Sequence, residues 1–132
     1  QELFERPAHT FVGYFIGSPG MNLFDAQIDG RTARVGDTSV DLGQSYTAQG
    51  KTQIGVRPEF IRLQSGGEGI PARIRRVEDV GRHKIVRLDV EGRPVSAIAG
   101  EGDTIPADID HISFAPEGVN VYADDWRVEG RA

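Results

Sequence analysis

Three histidines, two pairs of adjacent carboxylates, a run of arginines and a cluster of glycines are the residues of this chain with the greatest chemical reach. His9, His83 and His111 lack a second histidine or a carboxylate at metal-ligand spacing on one helix face, so they read as surface or satisfied core imidazoles. Glu78-Asp79 and Asp124-Asp125 place carboxylates side by side. On a strand such neighbours point to opposite faces, which forms no acid/base dyad. Ser65-Gly66-Gly67-Glu68-Gly69 offers enough backbone N–H groups to cradle a phosphate. It lacks a strand-loop-helix setting, and neither Lys51 nor Lys84 follows such a loop, so it reads as a turn. Arg73, Arg75 and Arg76 form a small basic patch that could hold an anion or an acidic partner, or simply be a solvated strand face. Strand alternation places Arg73 and Arg75 opposite Ala72, Ile74 and Arg76. The absence of cysteine excludes disulfides and thiolate metal sites. No catalytic, cofactor or metal site is expected within these residues.

The elements that position these groups are short. The 132 residues suffice for one core, and the 38% hydrophobic and 27% charged content is that of a folded domain. No apolar run approaches the ~20 residues that span a bilayer. Ala8, Phe11, Val12, Phe15 and Ile16 recur at i, i+3, i+4, i+7 and i+8, an apolar arc of roughly 140° at helical period. Pro7 suits a first helical position, Gly17 a residue just past the end, and Pro19 forbids continuation. The pattern predicts a short helix over 8–16 with a sharp stop at Gly17-Ser18-Pro19. So short a helix must dock its apolar face on something.

Beyond Pro19 the period changes to two. Val40 and Leu42, Ala72 and Ile74, Val86, Leu88 and Val90, His111–Phe114, and Val119–Val121 alternate as half-buried strands. Asp29-Gly30, Gly36-Asp37, Gly66-Gly67, Glu91-Gly92 and Gly100-Glu101-Gly102 are turn signals between them. Gln44–Thr52 is polar and aperiodic and reads as a loop. Many short strands with glycine-rich turns predict a mostly β domain, a small barrel or sandwich. One pattern occurs twice: Val56-Arg57-Pro58-Glu59-Phe60-Ile61-Arg62-Leu63 and Phe114-Ala115-Pro116-Glu117-Gly118-Val119-Asn120-Val121. Each reads as a strand that stops at proline, makes one turn and restarts, which suggests a duplicated β unit.

FVGYFIGSPGMNL, preceded by Glu2-Leu3-Phe4-Glu5-Arg6-Pro7 and followed by Gly55-Val56-Arg57-Pro58-Glu59-Phe60-Ile61, resembles the C-terminal part of ATP-binding subunits of ABC importers. The likeness is to the maltose and glycerol-3-phosphate type. Pro116–Tyr122 resembles the closing strand of that family, with Asn120 where histidine is common and Tyr122-Ala123 where Phe-Asp is usual. The resemblance implies an OB-like β-barrel of the TOBE/MOP-like class with a short N-terminal helix. Residues 1–20 would be a connecting helix and turn from a nucleotide-binding domain outside this chain, and residues 21–132 the regulatory barrel. ATP hydrolysis, with its ATP and Mg, would lie in that other domain.

The implied partners are a second copy through the regulatory domain, transmembrane permease subunits, and a cytoplasmic regulatory protein. The implied location is the cytoplasmic face of the cell membrane. Phe15, Ile16, Gly17, Ser18, Pro19, Met21 and Asn22 are the candidate contact between protomers, and Arg57, Pro58 and Glu59 a barrel corner with a charge-assisted bond. A free-standing OB-like module for a small anion or nucleic acid is the alternative. Nucleic acid is disfavoured by the net charge of −5 and by the scarcity of aromatics for stacking (one Trp, three Tyr, six Phe).

Overall fold

A computed structural model describes residues 8–10, 20–67, 69–100 and 102–131. Most of these residues are in strands: β1 Asn22–Asp25, β2 Gln27–Val35, β3 Thr38–Tyr46, β4 Thr52–Val56, β5 Ile61–Gln64, β6 Ile70–Pro71, β7 Arg73–Asp79, β8 His83–Val90, β9 Arg93–Gly100, β10 His111–Phe114, β11 Val119–Ala123 and β12 Trp126–Val128. Among the described residues they form four antiparallel sheets, ordered β1-β4-β11-β12, β5-β10-β6, β2-β3 and β7-β8-β9. Among the described residues no continuous ring of hydrogen bonds closes these sheets into a barrel.

Packing unites what hydrogen bonding leaves separate. One apolar cluster takes Phe24, Ile54, Val56 and Val121 from the first sheet, and Ile61, Ile70, Ile112 and Phe114 from the second. Ala33, Val35 and Leu42 come from the third, and Val86, Leu88, Val90, Val95 and Ala97 from the fourth. Period-two alternation is the reason: each strand turns alternate side chains inward. The Phe24 and Phe114 rings, 5.2 Å apart, join the first two sheets.

Turn chemistry fixes three hairpins. Val35 pairs with Thr38 around Gly36-Asp37, and Val90 with Arg93 around Glu91-Gly92. Ala123 pairs with Trp126 around Asp124-Asp125. Both central residues of the last two turns have positive φ, at 53° and 79° and at 49° and 76°. That is the backbone a two-residue hairpin needs to match the twist of its strands. Asp124-Asp125 is therefore a turn and not a strand pair. Asp29-Gly30, expected to be a turn, lies inside β2 beside a register shift between Gly30 and Thr32. The loop expected over Gln44–Thr52 is shorter, because β3 runs to Tyr46 and Thr52 already belongs to β4. Most of the expected helix over 8–16, including Phe11–Ile16, lies outside the described residues. It does not begin at Ala8: His9 bridges Trp126, and the Arg127 N–H donates to the Ala8 carbonyl at 2.7 Å.

The repeated sequence pattern is a repeated structure. Pro58–Phe60 and Pro116–Gly118 are each one 3-10 turn, entered from an extended residue, Arg57 or Ala115. Extended geometry is what a residue before proline prefers. The two strand-corner-strand units pair with each other about an approximate two-fold axis: Val56 lies opposite Val119, and Ile61 opposite Phe114. The corners meet at Gly118, where a β-carbon would stand 2.1 Å from Phe60 Cγ. Gly118→Ala is expected to cost about 1–3 kcal/mol of unfolding free energy by overpacking, read from urea denaturation, and Phe60→Ala in the same chain to recover part of it.

Candidate functional site

Motifs far apart in sequence meet at the start of β1. Met21 is buried against Tyr122, whose hydroxyl lies 3.5 Å from the Met21 sulfur. Gly55 makes the approach possible. A β-carbon there would fall 2.6 Å from the Met21 sulfur and 2.8 Å from the Tyr122 ring. The glycine of the Gly55–Ile61 element, the methionine after Gly17–Pro19 and the tyrosine of the closing strand thus form one knot. Burial pushes the Tyr122 hydroxyl well above the usual range of a phenol, so it stays neutral.

Asn22, beside it, uses its whole carboxamide. Its Nδ2 donates to the carbonyls of Val56 at 3.0 Å and Ser96 at 2.9 Å, and its Oδ1 accepts the Ser96 N–H at 2.9 Å. The side chain therefore fastens β1 and β4 to β9, a strand of another sheet. Arg57 and Pro58 are buried at the first corner. Arg57 Nε stands 3.7 Å from Glu59 Oε1, and the Glu59 side chain remains about half exposed. Of the expected contact residues, Met21, Asn22, Arg57 and Pro58 thus turn their side chains into this chain, and Glu59 faces outward. Phe15, Ile16, Gly17, Ser18 and Pro19 lie outside the described residues.

The other chemical groups have structural employment. The Gly66 N–H donates to Asp110 Oδ1 at 2.6 Å, and the His111 ring nitrogen lies 2.7 Å from the same oxygen. An internal carboxylate occupies the glycine cluster where a phosphate would have to bind. First the Gly66 N–H and then the His111 contact hold the Asp110 carboxyl below its ordinary pKa. His9 stacks edge-on against Trp126 with ring centroids 4.5 Å apart. Asp124 accepts the Lys51 N–H at 3.0 Å, and Asp125 accepts the Thr10 hydroxyl at 3.2 Å. Among the described residues no group of three or more His, Asp or Glu is placed to hold a metal ion, and no helix is long and apolar enough to cross a membrane.

The arginine patch departs from simple alternation. A register shift between Ile74 and Arg76 brings Arg76 opposite Arg87. Such a bulge turns two consecutive side chains toward one face. Arg75, Arg76 and Arg87 consequently line one open cavity with Ser96, and Arg76 does not lie on the opposite face from Arg75. Neither Arg87 nor Ser96 carries a signal in the sequence that would have singled it out.

Comparison with known proteins adds a second kind of observation. Residues 54–110 match the TOBE domain family. The sn-glycerol-3-phosphate import ATP-binding protein UgpC 2 of Agrobacterium fabrum is 36% identical over 111 residues, covering 76% of this chain and 28% of that protein. An uncharacterized ABC transporter ATP-binding protein, y4oS, of Sinorhizobium fredii is 37% identical over 103 residues, covering 74% of this chain and 27% of that protein. The sn-glycerol-3-phosphate import ATP-binding protein UgpC of Ruegeria pomeroyi is 32% identical over 129 residues, covering 94% of this chain and 35% of that protein. The chain spans about a third or less of the length of these relatives.

Two substitutions test the site. Asn22→Ala strands the Val56 carbonyl and both backbone groups of Ser96, so chemical denaturation is expected to show a loss of about 2–3 kcal/mol. Asp110→Asn is expected to lower the urea midpoint at neutral pH. Because the folded-state pKa of Asp110 is depressed, its contribution is present above the ordinary carboxylate value and fades as pH falls through the folded-state value. The difference between Asp110→Asn and the parent chain should therefore vanish in acid.

Proposed function

Since this chain carries a TOBE domain and is similar to the C-terminal part of ABC importer ATP-binding subunits, we propose that it is the regulatory and dimerisation domain of such a subunit, serving uptake of sugars or sugar phosphates. The observation that carries this reading is the run of similarity in one order. It takes in the Gly55–Ile61 element and continues over most of the chain in relatives named for sn-glycerol-3-phosphate import. In this reading residues 1–20 connect to a nucleotide-binding domain, and residues 21–132 are the OB-like barrel. ATP and Mg are bound and ATP is hydrolysed in that other domain, not by these residues. The full protein works at the cytoplasmic face of the membrane with permease subunits.

The mechanism needs no chemistry from the strands. A lasting contact between two regulatory domains holds their ATPase domains at high effective concentration, so that they separate after hydrolysis without dispersing. A cytoplasmic regulatory protein that binds the domain pair in its separated arrangement stops transport by its differential affinity for that state. Phe15 to Pro19 and the exposed Glu59 carboxylate form the contact with the second copy. Met21, Asn22, Arg57 and Pro58 are buried within this chain and hold the strands and the corner of the domain in place. The Gly17-Ser18-Pro19 exit suits the role, because proline presets φ and less chain entropy is lost on ordering.

Light scattering after size exclusion tests the reading. The parent chain is expected to run with the mass of a dimer, and Phe15→Asp or Ile16→Asp with that of a monomer while keeping its β circular dichroism. A monomeric parent, or a dimer indifferent to both changes, overturns the proposed contact.

A further inference from the structure

The outer face of the β7-β8-β9 sheet concentrates positive charge on a chain whose net charge is −5. Among the described residues, Arg73, Arg75, Arg76 and Arg87 share two carboxylates there. Arg73 and Arg75 both reach Asp89, at 3.6 and 3.3 Å, and Arg76 and Arg87 both reach Glu78, at 2.9 and 3.2 Å. Two guanidinium groups to each carboxylate leave this face with two positive charges in excess. Arg76 sits directly opposite Arg87, and Arg87 directly opposite Ser96. Between these two facing guanidinium groups the Glu78 carboxylate supplies one negative charge, which offsets only half of their combined charge across the strands.

The face is also concave. An open cavity of about 490 Å³ is lined by Arg75, Arg76, Arg87 and Ser96, with Leu88, Pro94 and Val95 completing its wall and floor. No carboxylate is among the lining residues. Its centre is held in place: Arg87 Nη1 donates to the Ser96 hydroxyl at 2.9 Å, and the Ser96 backbone is clamped by Asn22. Each guanidinium carries five N–H donors in a fork that matches a tetrahedral oxyanion.

We propose that Arg75, Arg76, Arg87 and Ser96 form a binding site for a phosphate dianion, either inorganic phosphate or the phosphate group of a small monoester. A doubly charged oxyanion neutralises the excess charge of the face and separates the facing guanidinium groups. It takes charge-assisted hydrogen bonds from three side chains. The site is independent of the domain's place in a transporter and of the proposed contact between copies. Where the domain is regulatory, occupancy at Ser96 reaches β1 through Asn22.

The test is calorimetric titration of the chain with inorganic phosphate and, separately, glycerol 3-phosphate. Both runs hold ionic strength constant, at about pH 7.5, where the second phosphate proton is largely lost. Saturable one-to-one binding of either ligand is expected. Binding of both points to the free anion, and binding of the monoester alone to a phosphorylated solute. Arg76→Gln and Arg87→Gln should each weaken binding about tenfold, the loss of one charge-assisted bond. Arg75→Gln repeats the test at an exposed side chain that leaves the Ser96 contact intact. Arg31→Gln, whose partner is the Gly43 carbonyl, should leave the affinity unchanged. Absence of saturable heat with both ligands, or equal weakening by Arg31→Gln, overturns the proposal.

Discussion

The carboxamide of Asn22 joins two sheets that share no ladder of backbone hydrogen bonds. It bonds to Val56 on β4 and to both backbone groups of Ser96 on β9. Together with the shared apolar core it sets the relative placement of those sheets, with the buried Met21-Gly55-Tyr122 knot on one side and the arginine face on the other. A polar group can carry this load because its surroundings are mostly buried and all its bonds are made. Unmade, the same groups would oppose folding.

The two proline corners add a second constraint. Because each corner is a copy of the other and they pair about a two-fold axis, a change in one is felt by both. Phe60 fills the space that a side chain at position 118 would need. Close packing of this kind is stiff, since volume changes of a single methyl group are resisted by neighbours on every side. A rigid body of this sort suits a domain whose proposed work is to stay put while attached domains move. It also explains why Arg57 and Pro58 are buried while Glu59 alone of that trio points outward.

The strands were largely legible in the sequence because period-two burial leaves a direct trace, as in Val86, Leu88 and Val90. The corners were legible because proline restricts its own φ and its predecessor. Asp29-Gly30 misled because a glycine with positive φ serves a bulge as well as a turn, and local sequence does not distinguish them. Asp124-Asp125 misled in the other direction: aspartates tolerate the left-handed region that a two-residue hairpin demands. For the candidate site, Met21, Asn22, Arg57 and Glu59 stood out through their motifs, whereas Ser96 and Arg87 did not, since a serine and an arginine on a strand look like any solvated pair.

The sequence by itself determined the mostly β character, several of the strands and the two repeated corners, because these follow from local φ preferences and side-chain periodicity. Only the tertiary structure decided that Gly55 must be bare to admit Met21 and Tyr122, and that Asn22 spans two sheets. It also decided that a one-residue slip in β7 gathers arginines expected on opposite faces. Contacts between residues tens of positions apart depend on how sheets are stacked, and the alternation within a single strand carries no record of its neighbour's register.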